Sequence, residues 1–323
     1  MAAADTLRVA TWHVELMRDG PGLLVRDIEK GDPQVDAVVQ ILDHVAPDVV
    51  LLTGIDWDFE GIALAMLAEK LGRYPHRLAL KPNTGMPTVL DLDGDGLLGG
   101  PGDAQGYGRF AGHGGMALLS DQPMTLIADH THRIWADIPG ALLFEGMTDA
   151  AKSVQRLSSV GHWEVEVAGL RLLAMSAGPP VFDGPEDRNG RRNDNELAFW
   201  SPRLERGSDP VVLIGNTNLD PVDGDGRREI MQAMLSHPRL QDPKPRSGGG
   251  VEAANLDHRG DPALDTADWR EPSPGNLRVS YVLPDSRLAV RDAGVFWPTS
   301  DDPKAELLSG GPRHRLVWVD LER

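Results

Sequence analysis

Two asparagines, Asn216 and Asn218, close the run VVLIGNTNLDP at residues 211–221. Four apolar residues lead into Gly215 and a polar tip, the pattern of a buried strand that stops at a sheet edge. Strand side chains alternate, so both amides are expected on one face; closing a turn is the plainer use of the pair. His13 and Glu15 end another such run near the N-terminus, and Arg313 and His314 open one near the C-terminus. Two neutral imidazoles suit Zn2+, so His13 and His314 are a candidate metal pair, with Glu15 and Asp56 as candidate carboxylates. Against this, His314 also reads as a buried, hydrogen-bonded histidine. Arg188, Arg191 and Arg192 cluster in an acidic chain; their planar forks suit phosphate or carboxylate, and equally a salt-bridge network that pins a loop. Asp91, Asp93 and Asp95 alternate ahead of Gly96, the opening half of a calcium-loop spacing. The position of the closing bidentate carboxylate is Gly102, with Asp103 beside it, and an empty solvated loop is the alternative.

The totals narrow the classes. The chain has 323 residues, 41% of them apolar, enough for a sizeable core. A net charge of -17 argues against a broad basic surface, so nucleic acid is not an expected partner, whereas a bound cation could still supply local positive charge. There are 0 cysteines, which excludes disulfides and thiolate metal sites. No apolar run is long enough for a membrane span. Residues 1–6 are read as a tail whose alanines look like the remnant of a signal-peptidase site, which implies a periplasmic or secreted protein; a ragged cytoplasmic N-terminus is the other reading.

The elements that would hold these residues follow from periodicity. Strands are expected at residues 7–15, 47–53, 112–120, 162–167, 170–175 and 276–284, with a hairpin turn at Ala168 and Gly169. A helix should start after Asp32, with Pro33 in its first turn. Asp56 and Asp58 are expected to cap a helix over 59–71, and Asp225 one over 227–235. Residues 174–193 read as a long loop followed by a helix through Glu196, Phe199 and Trp200, and residues 243–262 as a surface loop. The 8 tryptophans, with Tyr281, are assigned to the core rather than to a carbohydrate platform.

In order along residues 7–321, these segments resemble the endonuclease/exonuclease/phosphatase superfamily of metal-dependent phosphoester hydrolases. The stretch PPVFDGPEDRNGRRN is similar to a long loop of one bacterial branch. The resemblance implies one domain over residues 7–323, a four-layer α/β sandwich of two packed mixed sheets flanked by helices. It also implies where the chemistry would sit. The family's Asp-x-Asn pair falls on Asn216 and Asn218, its first-strand Asn on His13, its metal-holding Glu on Gly54 and its catalytic His on Ser176. The Asp of its Arg-x-Asp-Tyr strand falls on Ser280, and its closing Asp-His pair on Arg313 and His314. Only Asn218 and His314 match; of the six other positions, almost all have lost negative charge or a base.

Three readings stay open. One is a non-catalytic descendant that binds an anion, such as a phosphate-containing small molecule, through Arg313 and the 188–192 arginines. Another is a hydrolase with a rebuilt site on Mg2+ or a different divalent ion, and the last is an extracellular module holding Ca2+ on Asp91, Asp93, Asp95 and Asp103.

Overall fold

A computed structural model describes residues 6–323, so the N-terminal tail lies almost wholly outside the described residues. The first half of the chain runs β1 (Thr6–Leu16), α1 (Leu23–Lys30), α2 (Pro33–Val45), β2 (Val49–Ile55), α3 (Ile62–Leu71), β3 (His76–Leu78), β4 (Gly115–Ser120) and β5 (Met124–Asp129). Then come α4 (Asp149–Val154), β6 (Gly161–Val167), β7 (Leu170–Ser176), α5 (Arg188–Ala198), α6 (Ser201–Leu204), β8 (Val211–Asn216) and α7 (Arg228–Leu235). The chain ends with α8 (Gly248–Ala253), β9 (Ala267–Asp268), β10 (Asn276–Leu277), β11 (Ser280–Pro284), β12 (Val290–Phe296) and β13 (Leu316–Glu322).

Two mixed sheets carry the architecture. One has the order β12-β13-β1-β2-β4-β3 and the other β11-β8-β7-β6-β5. Alternation along β1 shows how they stack. Leu7 and Val9 join Val49, Leu51, Trp163, Val165, Leu172, Val212 and Val282 in the layer between the sheets. Ala10, Trp12 and Val14 point the other way, against Val35, Val38, Ile41 and Leu67 of α2 and α3. On the far side, Leu173, Met175 and Leu213 pack against Leu197, Trp200, Met231 and Met234 of α5, its C-terminal extension and α7. Each sheet therefore has a dry inner face and a helix-covered outer face, giving four layers.

Local signals explain much of this. Asp32 accepts hydrogen bonds from the Gln34 and Val35 amides and starts α2 one residue before Pro33. Asp58 accepts from the Ile62 and Ala63 amides and so caps α3, but Asp56 does not; it accepts from the Arg18 and Gly114 amides and ties two loops together. Ala168 and Gly169 both take positive φ in the β6–β7 turn. Several expectations are corrected. Asp225 does not cap α7, whose N-cap residue is Arg227 and which has no side-chain cap. The arginine cluster is helical, because α5 starts at Arg188. Residues 243–262 contain α8, with Gly249 and Gly250 buried against Trp297 and Pro262. The single strand expected at 276–284 is two, with β10 paired to β9 and β11 to β8.

His162 shows how the core treats a titratable group. Its ring stacks on Trp200 at 5.4 Å, with Nδ1 at 2.8 Å from Ser158 Oγ and Nε2 at 3.0 Å from the Glu196 carbonyl. Burial holds its pKa down at about 4. The folded state thus favours the neutral ring, and the stability this brings is complete above the unfolded pKa near 6.5 and lost as pH falls toward 4. Between about pH 7 and pH 4.5, His162→Gln should lose roughly 2–3 kcal/mol less stability than the parent chain, read from urea unfolding at both pH values.

Candidate active-site cleft

The candidate residues extend the inner faces of five strands. His13 continues the row of Leu7 and Val9 in β1, and Thr53 that of Val49 and Leu51 in β2; the two are paired in register. In the other sheet Ser176, Asn216 and Ser280 continue the inner rows of β7, β8 and β11, and Asn216 pairs with both neighbours. Polar residues thus replace the apolar inter-sheet layer where the strands end, and Thr53, Ser176, Asn216 and Ser280 are buried there. The two rows meet where Asn216 Nδ2 lies 3.5 Å from His13 Nδ1.

His13 is the centre of this arrangement. Its Nδ1 is 3.0 Å from Thr53 Oγ1, and its ring centroid is 4.4 Å from that of His314. The C-terminal segment is drawn in by β13, which pairs antiparallel with β1, and by the Trp12 indole, which donates to the His314 carbonyl at 3.0 Å. Trp269 meets the His314 ring edge-on at 5.2 Å. Glu15 takes φ 49 at the irregular end of β1, where register shifts between His13 and Leu16. That backbone turn lets its carboxylate accept from the Arg313 amide at 3.0 Å. One ligand atom each from His13, Glu15 and His314 falls within 4.8 Å of the other two.

Burial sets the protonation of this group. It holds the His13 imidazole down at about 4. His314 is held well below the ordinary histidine range by burial first, then by His13, Arg315 and Arg313. Both rings are neutral near pH 7, the state in which imidazole offers a lone pair. Nδ1 of His314 is buried with no hydrogen-bond partner, as is Ser280 Oγ.

Gly54 is the position where the structure adds most. It takes φ +67, and a Cβ built there would lie 2.6 Å from His13 Cε1 and 2.8 Å from Nε2. The imidazole fills the space that any side chain at 54 would need. Asn218 does not extend the strand face as period two requires. It lies beyond the end of β8 at φ 52, donates Nδ2 to the Ala177 carbonyl at 2.7 Å, and accepts at Oδ1 from Asn216 Nδ2 at 3.2 Å.

The other candidates lie in different surroundings. Arg192 is buried and donates from Nε and Nη2 to the carbonyls of Leu157, Gln105, Arg156 and Ser158, so it is a structural cross-link. Arg188 donates to the Leu92 carbonyl and Arg191 to that of Glu186. Arg313 is exposed beside His314; its amide donates to Glu15 and its carbonyl accepts from the Asp268 amide. Asp91, Asp93 and Asp95 do approach one another within 4.8 Å on an exposed loop. Asp103 turns inward, accepting from the Leu92, Gly99 and Gly100 amides, and does not join them.

Two stacked mixed sheets covered by helices define a four-layer α/β sandwich. The chain belongs to the Endonuclease/Exonuclease/phosphatase family, whose model matches residues 23–309. Among solved structures it is similar to an endonuclease/exonuclease/phosphatase from Beutenbergia cavernae, with 19% identity over 98% of this chain and 71% of that one and a TM-score of 0.56. It is also similar to the 3' phosphatase NExo from Neisseria, solved bound to product DNA hairpin, with 15% identity over 98% of this chain and 100% of that one and a TM-score of 0.56. A family protein from Leptotrichia buccalis matches at 13% identity, over 98% of this chain and 100% of that one, with a TM-score of 0.53. No curated protein matches the chain. At these identities the likeness speaks for the fold. Among the described residues no helix is long and apolar enough to cross a membrane.

The family depends on divalent metal, and Mg2+ asks for near-octahedral oxygen ligands. Among the described residues the group gathered here is one carboxylate, Glu15, beside two imidazoles, while Asp56 is committed to backbone amides. That donor set does not fit Mg2+.

Proposed function

We propose that this chain is a family member that has given up Mg2+-dependent phosphoester hydrolysis and keeps its cleft as a binding site for a small anionic ligand. The observation that carries the reading is the His13 ring packed over Gly54. The position that would hold the family's metal has no side chain, and the space for one is taken. Ser176 and Ser280 support it, since a serine at either place neither ligates a hard cation strongly nor acts as a base near neutral pH. Arg313, exposed and next in sequence to His314, is the arginine we assign to supply the charge that attracts the ligand.

The test is hydrolysis of an activated phosphodiester and an activated monoester by purified protein with Mg2+, Mn2+, Ca2+ or Zn2+, each against EDTA, with His314→Ala in parallel. The expected result is a rate equal to the EDTA baseline under every condition. Metal-dependent turnover that disappears in His314→Ala would overturn the reading and establish a hydrolase with a rebuilt centre.

A further inference from the structure

We infer that His13, Glu15 and His314 form a binding site for one borderline divalent ion of the Zn2+ class, a nitrogen-based centre in place of an oxygen-based one. Three observations converge on it. Two imidazoles and a carboxylate, drawn from the two ends of the chain, present ligand atoms within 4.8 Å of one another, close enough for all three to reach a common ion at the ordinary 2.0–2.2 Å of Zn–N and Zn–O bonds after small side-chain movements. The His314 side chain is nine-tenths buried and its Nδ1 has no partner, an arrangement that costs free energy in the empty protein and is relieved by coordination. His13 Nδ1 meets Thr53 Oγ1, which fixes the ring as outer-shell partners of metal-bound histidines do, and among the described residues its Nε2 makes no hydrogen bond.

The donor set also selects the metal. Imidazole suits Zn2+, Cu2+, Co2+ and Ni2+, whereas Mg2+ and Ca2+ prefer oxygen. Three protein ligands leave a four-coordinate ion one open position. An anionic oxygen donor would take that position, beside Arg313 at the cleft mouth. In this respect the site deepens the proposal of an anion-binding cleft, although its existence does not depend on that proposal.

The experiment uses the full chain stripped with EDTA and titrated with Zn2+ by calorimetry, and separately with Co2+ followed by its visible ligand-field absorption. We expect one ion per chain, a visible Co2+ band and a Zn2+-dependent rise in the thermal midpoint, with no competition from excess Mg2+. Thr53→Ala should weaken Zn2+ by about 10–100-fold, the range typical of an outer-shell partner, and His314→Ala by more. Glu15→Gln, which keeps size and shape, serves if His314→Ala fails to fold, and should likewise lose affinity and shift the Co2+ band. Asp93→Asn should change none of these, because its carboxylate belongs to the separate exposed loop. No binding by the folded parent chain, or binding unchanged in both Glu15→Gln and His13→Ala, would overturn the site. Turnover with Zn2+ would sink the non-hydrolytic reading and leave this site standing, whereas absence of Zn2+ binding would remove the site and leave that reading untouched.

Discussion

Gly54→Ala should lower the unfolding free energy by roughly 2–5 kcal/mol, and the loss should shrink sharply when His13 is replaced as well. Two terms make up the expected cost. A side chain at φ +67 is strained by about 1–2 kcal/mol. The added Cβ also meets the His13 ring at 2.6 Å, closer than van der Waals contact, so the imidazole must leave its place beside Thr53 and His314. That overpacking term is about 1–3 kcal/mol. In a His13→Ala background only the backbone term survives. A cycle of Gly54→Ala, His13→Ala and the double variant, read by urea unfolding, should therefore show a coupling of about 1–3 kcal/mol in the direction of relief. Additivity within about 0.5 kcal/mol would mean the two residues do not interlock. The cycle also bears on function. If the coupling is present, loss of the carboxylate position and gain of an imidazole are one structural event, and a carboxylate cannot be restored at 54 without first removing His13.

This coupling shows the limit of what spacing along a chain can reveal. The strands, their alternation and the hairpin at Ala168 and Gly169 are local patterns, and they stand in the structure much as the sequence implies. Inner-face parity for His13, Ser176, Asn216 and Ser280 is set by the apolar residues two positions or more away in their own strands. The tryptophan reading also holds for Trp12, Trp135, Trp163 and Trp200, all fully buried. Contacts between distant strands are a different matter. His13 and His314 are brought together by β1 pairing with β13, and their separation in sequence carries no trace of a 4.4 Å ring contact. Gly54 reads as a lost ligand from its identity alone, and only the packing shows that its emptiness is filled. The arginine cluster misleads for a related reason. A guanidinium suits backbone carbonyls as well as phosphate, and Arg192 satisfies four of them in the interior. Asn218 departs because the alternation it was assigned stops with β8 at Asn216.

Gly215→Ala is expected to have the largest effect of any single methyl addition near the cleft, at about 3 kcal/mol or more. Gly215 lies in β8 at φ +140, opposite Met175 in the parallel pair with β7. A Cβ built there would sit 1.8 Å from the Met175 carbonyl oxygen, a backbone atom that no rotamer change can move. The two strands would have to part at the residue before Asn216, and Asn216 would leave its place in the row with Ser176 and Ser280. Gly169→Ala supplies an internal control, because Gly169 also has positive φ, at +76, but nothing lies within 4 Å of its absent Cβ. That variant should show only the backbone term, about 1 kcal/mol. Urea unfolding of the two variants separates strain from collision: a difference of about 2 kcal/mol or more attributes the need for glycine at 215 to the approach of β7. Equal losses would attribute it to φ alone. In the first case the glycine is what lets two parallel strands close tightly enough to hold Asn216 within reach of His13.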